Sequence, residues 1–242
     1  MKSIQLAIPI LLISFLSCNS TQKENTEVSE TYSKIRIIGA MKDVMWKGEL
    51  GARIQLDTIS NTKGLYGLGP ESYLRGELLI NNGKSYISRT TPGSVMSVSR
   101  GFDVSAPFFV YANVTEWYEL ELSSSVKSSK DIETFIDEKS KEALRPFVFK
   151  LIGKASSAKI HIQNLPSGSK VTSPEEAHQG QINFQLSNKD VEIIGFFSTE
   201  HKGVFTHHDS FVHMHLITKN EKEMGHLDEL EIGKMKLFLP KK

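Results

Sequence analysis

The chain has 242 residues, of which 39% are hydrophobic and 24% are charged, so it can build one large or two small folded domains and is not a disordered segment. Its formal net charge is +1, and its one basic run is the terminal pair Lys241 and Lys242. This charge balance lacks the electrostatic footprint of nucleic-acid binding, and we therefore exclude nucleic acid as a partner.

Residues 1–18 have the features of an export signal. Lys2 precedes a mostly apolar run, Ile4 to Phe15, which is too short to span a bilayer as a permanent helix. Cys18, the only cysteine, stands where a bacterial lipoprotein cleavage site needs it; the alternative is an ordinary signal peptide cut nearby. We expect a lipoprotein signal peptide, export, and membrane contact only through a lipid anchor on Cys18. Residues 19–33 are polar and are predicted to form a tether.

The rest of the chain is predicted to be rich in β-strands. Branched and aromatic runs punctuated by turn residues occupy 34–128, where Asn82 and Gly83 mark a hairpin. A helix is predicted over 129–145, because apolar residues recur on one side of this segment before a proline ends it. Strands resume in 146–242. The sequence therefore predicts an α+β fold of two β-rich halves with mixed or antiparallel sheets and a connecting helix.

The clearest functional signal lies in the C-terminal half. His213 and His215 alternate with apolar residues, which is typical of a strand, and residues two apart on a strand project from the same face. His226 follows a polar run that resembles a hairpin turn, which would return the chain to the first two histidines. Three imidazoles with an open fourth position typify a catalytic zinc site, although manganese, iron or nickel also fit, and a lone His-x-His is often a surface feature.

Motifs in both halves resemble the acetolactate decarboxylase family. The C-terminal half contains IIGFFS at 193–198, HMH at 213–215 and GHLDELEIG at 225–233, which is similar to the family's Gly-Phe, His-x-His and Gly-His order. The segment GLYGLGPESYLRGELLINNGKSY at 64–86 is similar to the family's glycine-rich segment and Gly-Glu strand. The resemblance implies an active site between two parts, a homodimer, and zinc-dependent decarboxylation of 2-acetolactate to acetoin.

Carried over residue by residue, the resemblance makes His213, His215 and His226 the zinc ligands. It places a family glutamate on Glu77, where a carboxylate could ligate the ion, orient bound water or act as an acid or base. The family's substrate-binding arginine falls near His161, which lacks the planar fork that suits a carboxylate. We therefore expect Glu77 and His161 to be catalytic, and the substrate to be a small hydroxy-keto acid.

Departures from the family leave some roles open. Relatives continue into a tail that carries a further glutamate, and if that group donates a proton, then Glu77, Glu71 or a water must replace it here. The missing arginine has three candidate replacements elsewhere in the chain: Lys150, Arg75 and Arg100. His178 is expected to be an ordinary surface residue. His207 and His208 are expected to lie in a polar loop, with a proton relay at the cleft rim as the alternative.

Four other functions share parts of the pattern. One is a non-catalytic, metal-binding exported lipoprotein of the same fold, and a second is a decarboxylase for a different 2-hydroxy-3-keto acid. A β-rich domain of DNA-associated proteins shares the histidine arrangement, but it lacks the N-terminal half, and export argues against DNA. A cupin-type oxygenase is disfavoured because its glutamate follows His-x-His at shorter spacing than Glu221 does here.

Overall fold

The computed structural model describes residues 34–241, so the predicted signal peptide and tether (1–33) and Lys242 lie outside the described residues. The first part contains these elements: β1 (Arg36–Ile38), α1 (Met41–Lys47), β2 (Ile54–Gln55), β3 (Leu65–Pro70), β4 (Glu77–Asn81), β5 (Lys84–Thr91), β6 (Val95–Arg100), β7 (Ser105–Ala106) and β8 (Phe109–Asn113). The second part contains these: β9 (Trp117–Glu121), α2 (Ser129–Lys139), β10 (Phe147–Ile162), α3 (Pro174–Ala177), β11 (Ile182–Phe197), β12 (Val212–Thr218) and β13 (Met224–Pro240). Strands outnumber helices and pair antiparallel, which confirms the predicted α+β class.

The first sheet has six antiparallel strands in the order β1-β8-β3-β4-β5-β6. The predicted hairpin joins β4 to β5, and both Asn82 and Gly83 have the positive φ angles, 48° and 78°, that favour a two-residue hairpin turn. Strands β2 and β7 form a separate pair. Glu77 is the first residue of β4, so its carboxylate stands at one end of this sheet.

The second sheet closes on itself. Its strand order is β10-β11-β12-β13-β9, and β10 also pairs with β13, so β10 to β13 form a ring with β9 attached. One face of β12 joins the core that packs on α2, through Val212, Met214 and Leu216. Because successive strand residues point to opposite faces, His213 and His215 face the other way.

The two sheets share a continuous apolar core. Residues of β3 and β4, such as Leu68 and Leu79, cluster with Ile194, Phe196 and Met224 of the second sheet. The face of β12 that carries the histidines therefore looks towards the first sheet. The cleft between the sheets is where the two predicted halves contribute to one site.

The predicted boundary between the halves differs from the boundary between the sheets. Strand β9 lies within 34–128, yet it pairs with β13. Strand β9 can pair there because β13 is long. Along one edge of β13, β12 pairs only with residues 224–226, so residues 236–240 of the same edge are open for β9. Residues 34–128 therefore supply both the first sheet and the last strand of the second.

The connecting helix begins as predicted but is shorter than predicted. Ser128 caps α2 in a reciprocal capping box with Asp131, and the helix ends at Lys139 rather than near residue 145. Ile136 is its last fully buried apolar residue, and 137–142 are all polar or charged, so further turns would have no apolar face to pack. Within residues 34–241, no helix combines the length and apolar character needed to cross a bilayer.

Candidate metal centre

The three predicted histidines meet in the cleft between the sheets. His213 and His215 project from one face of β12, and His215 pairs directly with His226 of β13. One ring nitrogen from each lies within 4.8 Å of the others, and all three side chains are buried. Strand alternation and the hairpin return of β13 together produce this convergence.

The spacing of the ring nitrogens fits a bound cation. Nε2 of His213 lies 3.1 Å from Nδ1 of His226. Two nitrogens bound to one tetrahedral zinc at 2.0–2.1 Å would be about 3.3 Å apart. Among the described residues, Nε2 of His215 is buried without a hydrogen-bond partner, which is costly unless something outside the chain satisfies it. The three residues therefore fit a divalent metal ion.

Burial keeps these imidazoles neutral at physiological pH. Burial and the neighbouring His215 hold the pKa of His213 well below its usual value, and burial and His161 do the same to the pKa of His226. Burial and His161 lower the pKa of His215 to about 3. A neutral imidazole keeps the lone pair that a metal needs, so the cluster can accept an ion without first losing protons.

Glu77 faces the histidine cluster from the first sheet. Its Oε2 lies 3.6 Å from Nε2 of His215, and its Oε1 accepts a hydrogen bond from the backbone N–H of Gln163 at 3.3 Å. Burial raises the pKa of Glu77 well above its usual value, which makes an uncompensated carboxylate costly at this position. A cation bound beside it would offset that cost.

His161 lies beside the histidine cluster and is held by a carboxylate. It pairs with His226 across β10 and β13, and the two rings stack with centroids 4.5 Å apart. Its Nδ1–H donates to both oxygens of Asp228, at 2.8 and 3.0 Å. Its Nε2 is thereby turned towards Glu77, 3.9 Å from Oε1. The structure thus brings His161 and Glu77 to the same cleft as the three histidines.

The prediction from sequence missed Asp228, whose position depends on a bulge. Leu227 pairs with Ile160 and Glu229 pairs with Lys159, so Asp228 is the extra residue of β13 between them. A bulge redirects the side chain of the inserted residue, and cross-strand register cannot be read from one strand alone. The only local signal in the sequence is that Asp228 lies two residues after His226, which is the same spacing that separates His213 from His215.

Two further residues contact the site: His207, for which the cleft rim was only the alternative to a polar loop, and Gln163, which was not predicted there. Nε2 of His207 lies 3.1 Å from Nε2 of His226, at hydrogen-bond distance, so the expected loop histidine reaches the metal cluster. Gln163 follows β10 and lines the cleft, where its Oε1 is buried with no partner among the described residues. His178 is exposed as expected, but its ring also lies at the cleft, 6.5 Å from that of His161.

Comparison with known proteins agrees with the motifs and the geometry. The family model for alpha-acetolactate decarboxylase matches residues 38–241. The chain belongs to this family. An alpha-acetolactate decarboxylase of Methanosarcina mazei is 28% identical over 177 residues, which are 72% of this chain and 58% of that relative's length. The match thus spans little more than half of that relative.

Solved structures of family members share the fold. The acetolactate decarboxylase of Bacillus subtilis subspecies spizizenii superposes with a TM-score of 0.68 over 87% of each chain, at 18% identity. A Staphylococcus aureus protein of unknown function, similar to alpha-acetolactate decarboxylase, superposes with a TM-score of 0.67 over 84% of each chain, at 16% identity. At these identities the likeness establishes the architecture alone.

This acetolactate decarboxylase family member has no lysine or arginine among the described residues that line the cleft. The three candidate replacements for the family arginine are elsewhere. Arg100 forms an ion pair with Glu221, Lys150 lies over the Trp117 ring at 4.5 Å, and Arg75 is exposed beside another surface pocket. Among the described residues, a neighbouring pocket that His226 and Asp228 also line contains one lysine, Lys130, which pairs with Glu133.

Glu71, the other carboxylate considered for proton transfer, is already paired. Its Oε2 accepts from Nε of Arg89 at 2.6 Å, and its Oε1 is bound by the same guanidinium. A carboxylate held bidentately by arginine has little freedom to turn towards another group. Of the two glutamates, only Glu77 lines the cleft.

Proposed function

We propose that this protein decarboxylates 2-acetolactate to acetoin at a divalent metal ion held by His213, His215 and His226. The observation that carries the proposal is the convergence of three buried, neutral imidazoles in the cleft of a chain that belongs to the alpha-acetolactate decarboxylase family. Three protein ligands that leave a further coordination position open are typical of a catalytic metal site, where the ion can act as a Lewis acid.

We further propose zinc as the ion and Glu77 as an oxygen ligand beside the three histidines. Imidazole and carboxylate ligands are those that catalytic zinc sites use, and Oε2 of Glu77 is 3.6 Å from Nε2 of His215. When bound, the ion supplies Lewis-acid stabilisation of the negative charge that develops as CO2 leaves. In such sites a hydrogen bond to the ring nitrogen that does not bind the metal fixes the orientation of the imidazole. His207 has this role towards Nε2 of His226.

The remaining cleft residues bind and orient the substrate. In the reaction, the bond between the carboxylate carbon and C2 breaks, CO2 leaves, the electron pair moves towards the neighbouring carbonyl, and C2 takes up one proton. Gln163 Oε1 is free to accept a hydrogen bond from the 2-hydroxyl group. His161, whose ring is fixed by Asp228, would bind the substrate carboxylate by donating from an Nε2–H group.

The test pairs metal content with turnover. We expect the purified chain to hold one metal ion and to release acetoin from racemic acetolactate, and the double variant His213→Ala, His215→Ala to lose both. Bound metal without acetoin in the wild type would contradict the proposal. That result would favour one of two alternatives: a different 2-hydroxy-3-keto acid as substrate, or a non-catalytic role. Both alternatives are supported by the absence of lysine and arginine from the described lining of the cleft.

We also propose that the protein is exported, anchored to a bacterial membrane through a lipid on Cys18, and homodimeric. The signal-like composition of residues 1–18 supports export, and the family resemblance supports the dimer. Replacing Cys18 by alanine should move the protein from the membrane fraction to the soluble fraction. Light scattering should give twice the 27.1 kDa chain mass, less any cleaved signal. Unchanged membrane attachment, or a monomer mass, would contradict the respective proposal.

A further inference from the structure

We propose that two methionines of α1, Met41 and Met45, limit the size of the alkyl group that the substrate carries on C2. The inference rests on the proposed function, because it states which 2-hydroxy-3-keto acids the same site accepts. It assigns to α1, an element outside the metal-binding motifs, the selection of a C2 methyl group over larger substituents.

The cleft has a polar side and an apolar side. Glu77, His161 and Gln163 line it together with His213 and His226, and its apolar lining comes from one core cluster that contains Met41, Met45, Leu74 and Phe108. The carboxylate, hydroxyl and keto oxygens of the substrate belong on the polar side, because a polar group buried without a partner is costly. The alkyl group on C2 is then left to face the methionines.

The two methionines act from one face of a short helix. Met41 and Met45 are four residues apart, so they lie above one another on the same side of α1. Met41 is buried and Met45 is partly buried, and both pack with Leu74 and Phe108 in one small core cluster. The ring of Phe108 lies 6.3 Å from that of His213, so this cluster forms the wall next to the metal site.

Helix α1 is fixed at both ends and cannot retreat from the cleft. Gly39 precedes it with φ of 64°, and a Cβ there would lie 2.3 Å from the backbone oxygen of Pro107. Gly48 caps it with φ of 65°, and a Cβ there would lie 2.6 Å from the backbone oxygen of Val171. Only glycine fits this close to the neighbouring backbone, and the backbone N–H groups of Met41 and Lys42 also donate to the backbone oxygens of Val204 and Gly203, at 2.7 and 2.8 Å. The methionine wall therefore has a set distance from the metal histidines.

The free space beside this wall is small. The whole pocket between this wall and the polar residues measures about 30 Å³, which is room for two or three water molecules when one water needs roughly 10–15 Å³ on this scale. A single methylene added to a ligand in an apolar pocket changes specificity by roughly 10–200-fold. The substrate is larger than this space, so its binding must move side chains that line the pocket, and the flexible Met41 and Met45 must move further for an ethyl group on C2 than for a methyl group.

The experiment compares two substrates that differ by one methylene, 2-acetolactate and 2-aceto-2-hydroxybutanoate. For the wild type we expect kcat/KM to favour the methyl substrate by at least about tenfold. Met45→Ala and Met41→Ala should each raise the ethyl-to-methyl ratio by about tenfold, and Met45→Phe should lower it. Met96→Ala is the matched control, because Met96 is also partly buried but packs against the core cluster next to α2. In this variant the ethyl-to-methyl ratio should stay within twofold of the wild type.

A wild-type ratio near one, or a ratio unchanged in both alanine variants that still bind metal, would overturn the size limit while the proposed function stands. Absence of turnover with both substrates would reject the proposed function instead. Calorimetry with two unreactive acids, 2-hydroxy-2-methylpropanoate and 2-ethyl-2-hydroxybutanoate, then decides the size limit separately. Tighter binding of the methyl acid that Met45→Ala abolishes supports it, and equal binding overturns it.

Discussion

At the scale of single residues, Asp228 controls the direction of the His161 ring. It accepts the Nδ1–H of His161 through both carboxylate oxygens, and this turns Nε2 into the cleft. Without that acceptor the ring has no partner on its Nδ1 side and can rotate away from the substrate. Asp228 therefore acts through His161 as a positioning residue.

We predict that Asp228→Ala lowers kcat/KM for acetolactate by roughly 10–100-fold with metal content unchanged. Glu229→Ala is the matched control, because Glu229 is the next residue of β13 but is exposed and pairs with Lys159. Steady-state kinetics and metal analysis of the two variants provide the measurement. Equal activities in the two variants would remove Asp228 from this role.

The second residue-scale prediction concerns Glu77 as a ligand. If its Oε2 joins the three imidazoles, then Glu77→Gln removes a negative charge from the ligand set and should weaken metal binding by roughly 10–100-fold, as measured by competition with a chelator. Glu71→Gln, a change in the same segment on a carboxylate held by Arg89, should leave metal affinity unchanged. Unaltered affinity in Glu77→Gln would show that the carboxylate acts on the substrate and not on the ion.

At the scale of elements, Glu133 ties α2 to the segment that leads into β12. Its carboxylate accepts hydrogen bonds from Lys130 Nζ, from the Ser210 hydroxyl at 2.6 Å and from the backbone N–H of Phe211 at 2.9 Å. Burial alone would raise the pKa of Glu133, but these hydrogen bonds outweigh burial and lower the pKa below its usual value. The ionised form of Glu133 is therefore the one that stabilises the fold.

We predict that Glu133→Gln destabilises the protein by about 1.5–3 kcal/mol at neutral pH, the range for hydrogen bonds to a charged group. Because the folded-state pKa is lowered, the stabilisation is complete above the unfolded value of about 4.3 and is lost as pH falls through the folded-state pKa. Thermal melts of wild type and variant should therefore converge at low pH. Glu138→Gln, on the exposed side of α2, should match the wild type, and a pH-independent difference would contradict the assignment.

Elements also differ in how far the sequence predicts them. Alternation of apolar residues around His213 and His215 is a local pattern, and so is the Asn82–Gly83 turn, and both are found as expected. The end of α2 depended on burial of residues after Ile136, and the side-chain direction of Asp228 depended on a bulge. Such features are decided by contacts between distant segments, which a single sequence does not display.

At the scale of the whole molecule, the candidate site joins the two sheets. Glu77 comes from β4 of the first sheet, while the three histidines come from β12 and β13 of the second. Strands β10 and β13 close the second sheet, and β9 joins it. Local periodicity does not predict either feature, because both depend on pairing between distant strands. A ligand bound across the cleft should therefore stabilise both sheets together.

Metal removal should accordingly lower the thermal stability of the entire chain. A ligand present at 1,000 times its Kd stabilises the folded state by about 4 kcal/mol, and in a protein of this size that corresponds to a shift in Tm of roughly 8–16 °C. Calorimetric scans before and after chelation should show this shift, and added zinc should reverse it. The double variant His213→Ala, His215→Ala should show no shift, and an equal shift in that variant would place the stabilising metal elsewhere.

The most direct test of the central claim is acetoin release from racemic acetolactate by the purified chain, measured as isolated, after chelation and after zinc is restored. We expect acetoin to form, chelation to abolish its formation, and one zinc ion per chain to restore it. Acetoin formation unaffected by complete metal removal, or a fully zinc-loaded chain that forms no acetoin, would contradict the central claim.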